Sequence, residues 1–121
     1  MPSILIVDDE PSIAMSLEFL MEQAGYDVRV ARDGEAALAA ARERLPDLAL
    51  LDVMLPDTTG VAVCRALRGL PGGEAVRVLM VSAKGRDVDV ERGLAAGADG
   101  YVTKPFAIQD VIDRVAQLLD P

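Results

Sequence analysis

The sequence predicts an α/β fold, a five-stranded parallel sheet with helices on both faces, and three observations lead there. Short apolar runs alternate with longer helical patterns five times along the 121 residues. Three of the runs are continuously apolar, as strands covered on both faces must be. The length suits one domain and is too short for two. No repeat or linker interrupts the chain, so residues 1–121 read as a single domain.

The elements follow in order. Ile4-Leu5-Ile6-Val7 is the first buried strand. Ile13, Leu17, Leu20, Met21 and Ala24 then share one face of a helix that Gly25 can stop. Asp27-Val28-Arg29-Val30 alternates polar and apolar residues, as a half-exposed edge strand does. Glu35 to Arg44 is an Ala- and Glu-rich helix. Leu48-Ala49-Leu50-Leu51 is the second continuous run, followed by a helix from Val61 to Arg68. Val78-Leu79-Met80-Val81 is the third, followed by a helix from Val88 to Ala96 with Gly97 as its stop. Tyr101-Val102-Thr103 is short, which suits the other edge. Val111, Ile112, Val115, Leu118 and Leu119 form the apolar stripe of the last helix. Five β-α repeats imply a parallel sheet. Right-handed crossovers, with runs one, three and four central, give the strand order 2-1-3-4-5. That is the flavodoxin-like doubly wound arrangement.

Composition narrows the function. Acidic residues number 20 and basic residues 12, a net charge of −8. Phosphate backbones and anionic lipid repel such a domain, so no direct nucleic acid binding is expected. The chain has no His, which excludes imidazole acid–base chemistry, a His-containing zinc site and a phosphohistidine within it. A single Cys, Cys64, excludes an internal disulfide and points to a reducing cytoplasm. In its mid-helix apolar context Cys64 reads as core. No apolar run approaches the roughly 20 residues that span a membrane, and no charged-then-apolar leader precedes the first strand. Neither G-x-x-x-x-G-K-[ST] nor G-x-G-x-x-G is present, which disfavours nucleotide enzymes.

In a doubly wound sheet, chemistry sits beyond the carboxyl ends of the strands, near the switch in strand order. After the first strand come Asp8, Asp9 and Glu10. Asp52 ends the third, Ser82 the fourth and Lys104 the fifth. Each has a plain alternative. Asp8 and Asp9 can cap a helix that Pro11 opens, Asp52 can be a turn acid, and Ser82 and Lys104 can be ordinary surface residues. All four positions nevertheless fall on one rim of a topology derived without them. Crowded carboxylates repel unless a cation sits among them. Oxygen ligands without His favour a hard ion such as Mg²⁺. Asp52 could then attack phosphorus as a nucleophile. Lys104 and the Ser82 hydroxyl would face phosphoryl oxygens.

From about Ser3 to Asp120 the chain resembles the receiver domain of two-component response regulators. Four motifs carry the resemblance: Ile4-Leu5-Ile6-Val7-Asp8-Asp9-Glu10, Leu51-Asp52-Val53-Met54-Leu55-Pro56-Asp57-Thr58-Thr59-Gly60, Val81-Ser82-Ala83-Lys84, and the stretch from Gly97 to Phe106. The resemblance implies a phosphorylation-dependent switch rather than a turnover enzyme. Asp52 would accept a phosphoryl group from a partner histidine kinase or histidine phosphotransfer protein. Asp9, Asp52 and the Met54 backbone carbonyl would bind Mg²⁺, with Asp8 acting through water. Lys104 would contact the phosphoryl group, and its bond to Pro105 would be cis. Ser82 and Tyr101 would form the switch. They would alter the face of the fourth helix, fifth strand and fifth helix, where an output partner docks. The domain would later hydrolyse its own aspartyl phosphate. The alternative is a phosphorylation-independent interaction module on the same fold. A haloacid-dehalogenase-type phosphatase would need a second acid where Met54 stands.

Local departures carry expectations of their own. Ser82 replaces the frequent Thr and keeps the hydroxyl. Asp57 stands where Gly is common and, with Thr58 and Thr59, is expected to cap the third helix. Gly100 replaces an acid that pairs across a dimer in the winged-helix branch, leaving Arg92, Asp99, Asp110 and Arg114 as candidates for a homodimer through that face. Asp87, Asp89, Glu91 and Arg92 read as a solvated helix face. Lys84 is expected to modulate loss of the phosphoryl group.

Overall fold

The computed structural model describes residues 2–83 and 87–119, without the side chains of residues 82–90. Five strands, β1 (Ser3–Val7), β2 (Asp27–Ala31), β3 (Leu48–Asp52), β4 (Arg77–Ala83) and β5 (Gly100–Lys104), alternate with five helices. The helices are α1 (Pro11–Gln23), α2 (Gly34–Glu43), α3 (Gly60–Arg68), α4 (Asp87–Ala95) and α5 (Ile108–Leu119). All strand pairs are parallel, in the order β2-β1-β3-β4-β5.

Strand alternation sends successive side chains to opposite faces and so builds two cores. Ile4, Ile6, Leu48, Leu50, Leu79 and Val81 pack with Leu17 and Met21 of α1 and Val111 and Val115 of α5. Leu5, Val7, Ala49, Leu51, Val78 and Met80 pack with Ala37 and Ala41 of α2 and Val63, Cys64 and Leu67 of α3. Cys64 is fully buried, as its apolar context predicts. β1 and β3 are buried along their whole length, whereas β2 and β5 are half-exposed edges.

The ends of the elements differ modestly from expectation. Ala24, expected on the buried face of α1, is exposed and caps its C-terminus. α1 opens with Pro11, but its N-cap is Glu10 and no side chain caps it. Asp8 and Asp9 are therefore not its caps. A short 3-10 turn at Gly73–Ala75 precedes β4, an element with no signal in the apolar pattern. The carbonyls at the α2 C-terminus are taken from the sheet side. Arg29 of β2 donates to Ala40 O at 2.8 Å and to Arg44 O at 2.6 Å.

Candidate functional site

The parallel register assembles the site. Val7 lies opposite Leu51, and Asp52 lies opposite Val81. The next residue of β1, Asp8, therefore emerges beside Asp52, about one interstrand spacing of 4.8 Å away. Ala83 pairs with Lys104, which brings the end of β5 to the same rim. Carboxylate oxygens of Asp8, Asp9 and Asp52 all lie within 4.8 Å of one another. Asp8 is 2% exposed and Asp52 7%, while Asp9 faces solvent.

Lys104 closes the cluster. Its Nζ donates to Asp52 Oδ2 at 3.1 Å and stands 3.7 Å from Asp8 Oδ2. Burial pulls the Lys104 ammonium down, but the hydrogen bond and charge of Asp52, with Asp8 and Glu10, outweigh it. The net effect holds Lys104 above its ordinary value. Burial pushes the Asp8 carboxyl up, and the neighbouring charges of Asp52 and Glu10 add to this. The Glu10 amide and Lys104 oppose the rise without cancelling it. One ammonium thus leaves three carboxylates short of positive charge. An all-oxygen donor set of this kind fits a hard divalent cation. The Lys104–Pro105 peptide bond is cis, as expected.

The loop after β3 holds Asp52 from the other side. Met54 N donates to Asp52 Oδ1 at 3.1 Å. Gly60 N donates to Val53 O at 2.8 Å, and Met54 bridges Thr59 in antiparallel fashion. A Cβ at Gly60 would overlap the backbone oxygen of Asp52, so only glycine allows α3 to start this close to the strand.

Asp57, at the tip of this loop, corrects the sequence reading. Thr59 alone caps α3, through Ala62 N at 3.1 Å. Asp57 reaches α2 instead. Its Oδ1 accepts from Gly34 N at 2.8 Å and its Oδ2 from Glu35 N at 3.0 Å. The Gly34 amide, with that of Glu35, holds the carboxyl below its usual range against slight desolvation. Capping motifs are read within a few residues of a helix, so a cap supplied from 23 positions away has no local signal.

Tyr101 lies on β5 and is 41% exposed. Ser82 pairs with Thr103 through the strand ladder. The Ser82 side chain, Lys84 and the side chains of Asp87 and Asp89 lie outside the described residues. Glu91 and Arg92 are exposed, as a solvated helix face requires. Asp99, expected as a dimer-pairing candidate, is engaged within its own chain. It accepts from Arg68 Nη2 at 3.1 Å and Val78 N at 2.8 Å, and lies 3.9 Å from Arg77 Nη1. Arg68 also donates to the carbonyls of Gly73, Val76 and Gly97, a junction the sequence did not announce.

The response regulator receiver domain family model matches residues 4–116. This chain belongs to that family. Among relatives of the receiver domain, the DNA-binding response regulator MtrA of Mycolicibacterium smegmatis is 48% identical over 112 residues. The match covers 93% of this chain and 48% of that protein. The phosphate regulon transcriptional regulatory protein PhoB of Rhizobium meliloti is 40% identical over 119 residues, covering 98% and 52%. The chain thus spans about half the length of these curated relatives. Among solved structures, a putative response regulator from Chloroflexus aurantiacus superposes with a TM-score of 0.93 at 38% identity, covering 99% of this chain and 98% of that one. Chemotaxis response regulator CheY4 of Vibrio cholerae gives 0.93 at 31%, covering 98% and 99%. The doubly wound fold predicted from the apolar runs and strand order is the one observed, and the family is the one the four motifs resemble.

Proposed function

We propose that this receiver domain is a phosphorylation-dependent switch whose phosphoacceptor is Asp52. The observation that carries the reading is the cluster of Asp8, Asp9 and Asp52 within 4.8 Å, with Lys104 Nζ 3.1 Å from Asp52 Oδ2. In this reading an Asp52 carboxylate oxygen attacks the phosphorus of a phosphohistidine on a sensor kinase or phosphotransfer protein. The P–N bond breaks, the imidazole leaves, and an aspartyl phosphate forms.

The residues that would hold Mg²⁺ are Asp9, Asp52 and the Met54 backbone carbonyl, with Asp8 acting through water. The bound cation would neutralise charge on the phosphoryl oxygens and relieve repulsion among the acids. Lys104 would exchange its carboxylate partner for a phosphoryl oxygen, its point charge needing no rearrangement of the loop. Burial of Asp52 keeps bulk water from the carboxylate, which favours a directed transfer.

The output would follow from a two-state surface biased by this one charge. The Ser82 hydroxyl would move toward the phosphoryl group and Tyr101 would move inward, altering the α4-β5-α5 face against which an output partner or a second copy docks. Later attack by water on phosphorus would return Asp52 to its free state. A cytoplasmic site of action accords with partners of this class.

The test is intact mass after incubation with a small-molecule phosphodonor, with and without Mg²⁺, on wild type and Asp52→Asn. The expected result is a Mg²⁺-dependent gain of one phosphoryl group, absent in the variant. No gain in wild type would overturn the reading in favour of constitutive binding.

A further inference from the structure

We infer that Asp57 is a positioning residue for the cation site, because it pins the tip of the loop that carries Met54 to the N-terminus of α2. The inference rests on the proposed role of Met54 as a ligand through its carbonyl.

The loop between β3 and α3 is short and closed on itself at its base. Gly60 N bonds Val53 O, and Leu55 N bonds Thr58 O at 3.3 Å. These bonds set the shape of the turn, and two more tie its base to the rim: Met54 N donates to Asp52 Oδ1 at 3.1 Å and Val53 N to Val81 O at 2.9 Å. The outward tie at its tip is the Asp57 carboxylate, which takes two successive α2 amides. Two hydrogen bonds to one planar group fix direction as well as distance. The approach is close: a Cβ on Gly34 would collide with the Thr58 methyl group. Gly34 therefore lets the loop lie against the helix while Asp57 holds it there.

The amides used are among the four that a helix start leaves unpaired. A third, that of Ala36, is taken by Asp33 Oδ1 at 2.7 Å, and the Ala37 amide makes the first bond of the helix proper, to Asp33 O. Two acids thus share one helix start. Asp33 serves the helix alone, whereas Asp57 serves both the helix and the loop beside Asp52. This division separates positioning from plain stabilisation by experiment.

The experiment titrates Mg²⁺ into the full chain and follows ¹H–¹⁵N shifts of Met54 and Leu55. It compares wild type, Asp57→Ala, Asp57→Asn and Asp33→Ala, with thermal melts recorded without Mg²⁺. Asp57→Ala is expected to raise the Mg²⁺ dissociation constant about tenfold, the low end for a group that orients a ligand. Asp57→Asn, which keeps one acceptor, is expected to fall between. Asp33→Ala is expected to melt lower yet bind Mg²⁺ as wild type does. Equal Mg²⁺ affinity in wild type and Asp57→Ala would overturn the inference, whatever the melting temperatures. If Asp57→Ala does not fold, Asp57→Asn decides by the same comparison. A wild type that binds no Mg²⁺ would instead overturn the reading on which the inference rests.

Discussion

Lys104 Nζ donates to Asp52 Oδ2 at 3.1 Å, although 52 positions separate the two residues. The same ammonium stands 3.7 Å from Asp8, so one cation serves two buried acids. Its removal leaves those acids facing each other. Lys104→Ala is expected to lose about 1–2 kcal/mol at pH 7 without divalent cations, between exposed and fully buried pairs. The folded state raises the Lys104 pKa, so its stabilisation is full below the ordinary 10.5 and is lost as pH rises through the folded value. Urea unfolding at pH 7 and pH 9 should show the same deficit. Coincident curves for variant and wild type at pH 7 would show that the pair contributes nothing.

Asp8 behaves in the opposite sense to a stabilising carboxylate. Its pKa is raised in the fold, so its ionised form is disfavoured there. Its contribution to stability is present below the ordinary 3.8 and is lost as pH rises through the folded value. Asp8→Asn keeps an oxygen for the Glu10 amide, which now donates to Asp8 at 2.9 Å. The variant is therefore expected to melt higher than wild type at pH 7 without Mg²⁺, and to match it near pH 3. For a domain of this size each kcal/mol moves the midpoint by about 4 °C. A variant that melts below wild type at pH 7 would contradict the assignment of burial and crowding as the cause.

Gly60 marks where α3 meets the end of β3. Gly60→Ala forces a methyl group into the Asp52 backbone oxygen and the Met80 side chain. The expected cost is about 2–3 kcal/mol, the upper range for overpacking. Guanidinium unfolding measures it. A cost below that of an ordinary surface change would mean that α3 can shift away from the strand without penalty.

Arg68 ties the end of α3 to the segments that lead into β4 and into β5. It meets Asp99 at 3.1 Å, Gly97 O at 2.6 Å and Gly73 O at 2.8 Å. A planar five-donor group can satisfy these partners together, and an ammonium cannot. Arg68→Lys is therefore expected to lose nearly as much stability as Arg68→Ala, about 1–2 kcal/mol, because the part-buried carbonyls of Gly73 and Val76 lose their donor. Hydrogen exchange at Ala98 and Asp99 should rise in both variants. Rescue by lysine would reduce the role of Arg68 to its charge.

Much of this molecule is legible in its residues alone. Ile4 to Val7 and Leu48 to Leu51 read as strands covered on both sides because helices on two faces leave no polar position between them. Asp27 to Val30 and Tyr101 to Thr103 read as edges for the converse reason. Once the order 2-1-3-4-5 stands, parallel register alone brings Asp8, Asp52 and Lys104 to one rim. Periodicity and crossover handedness are local or combinatorial properties, and a sequence carries both.

Tertiary structure decided which oxygen meets which amide. Asp57 lies beside two threonines and reads as a cap for the helix that follows it, yet it caps the helix before it. Asp99 reads as a candidate for pairing across a dimer face, yet Arg68 and the Val78 amide hold it within the chain. A partner 21 to 31 positions away depends on how two loops fold back toward each other. Closing a loop adds only a term that grows slowly with its length, so it favours no particular partner. Packing of α2 and α3 on one face of the sheet makes that choice, and it exists only once the sheet is built.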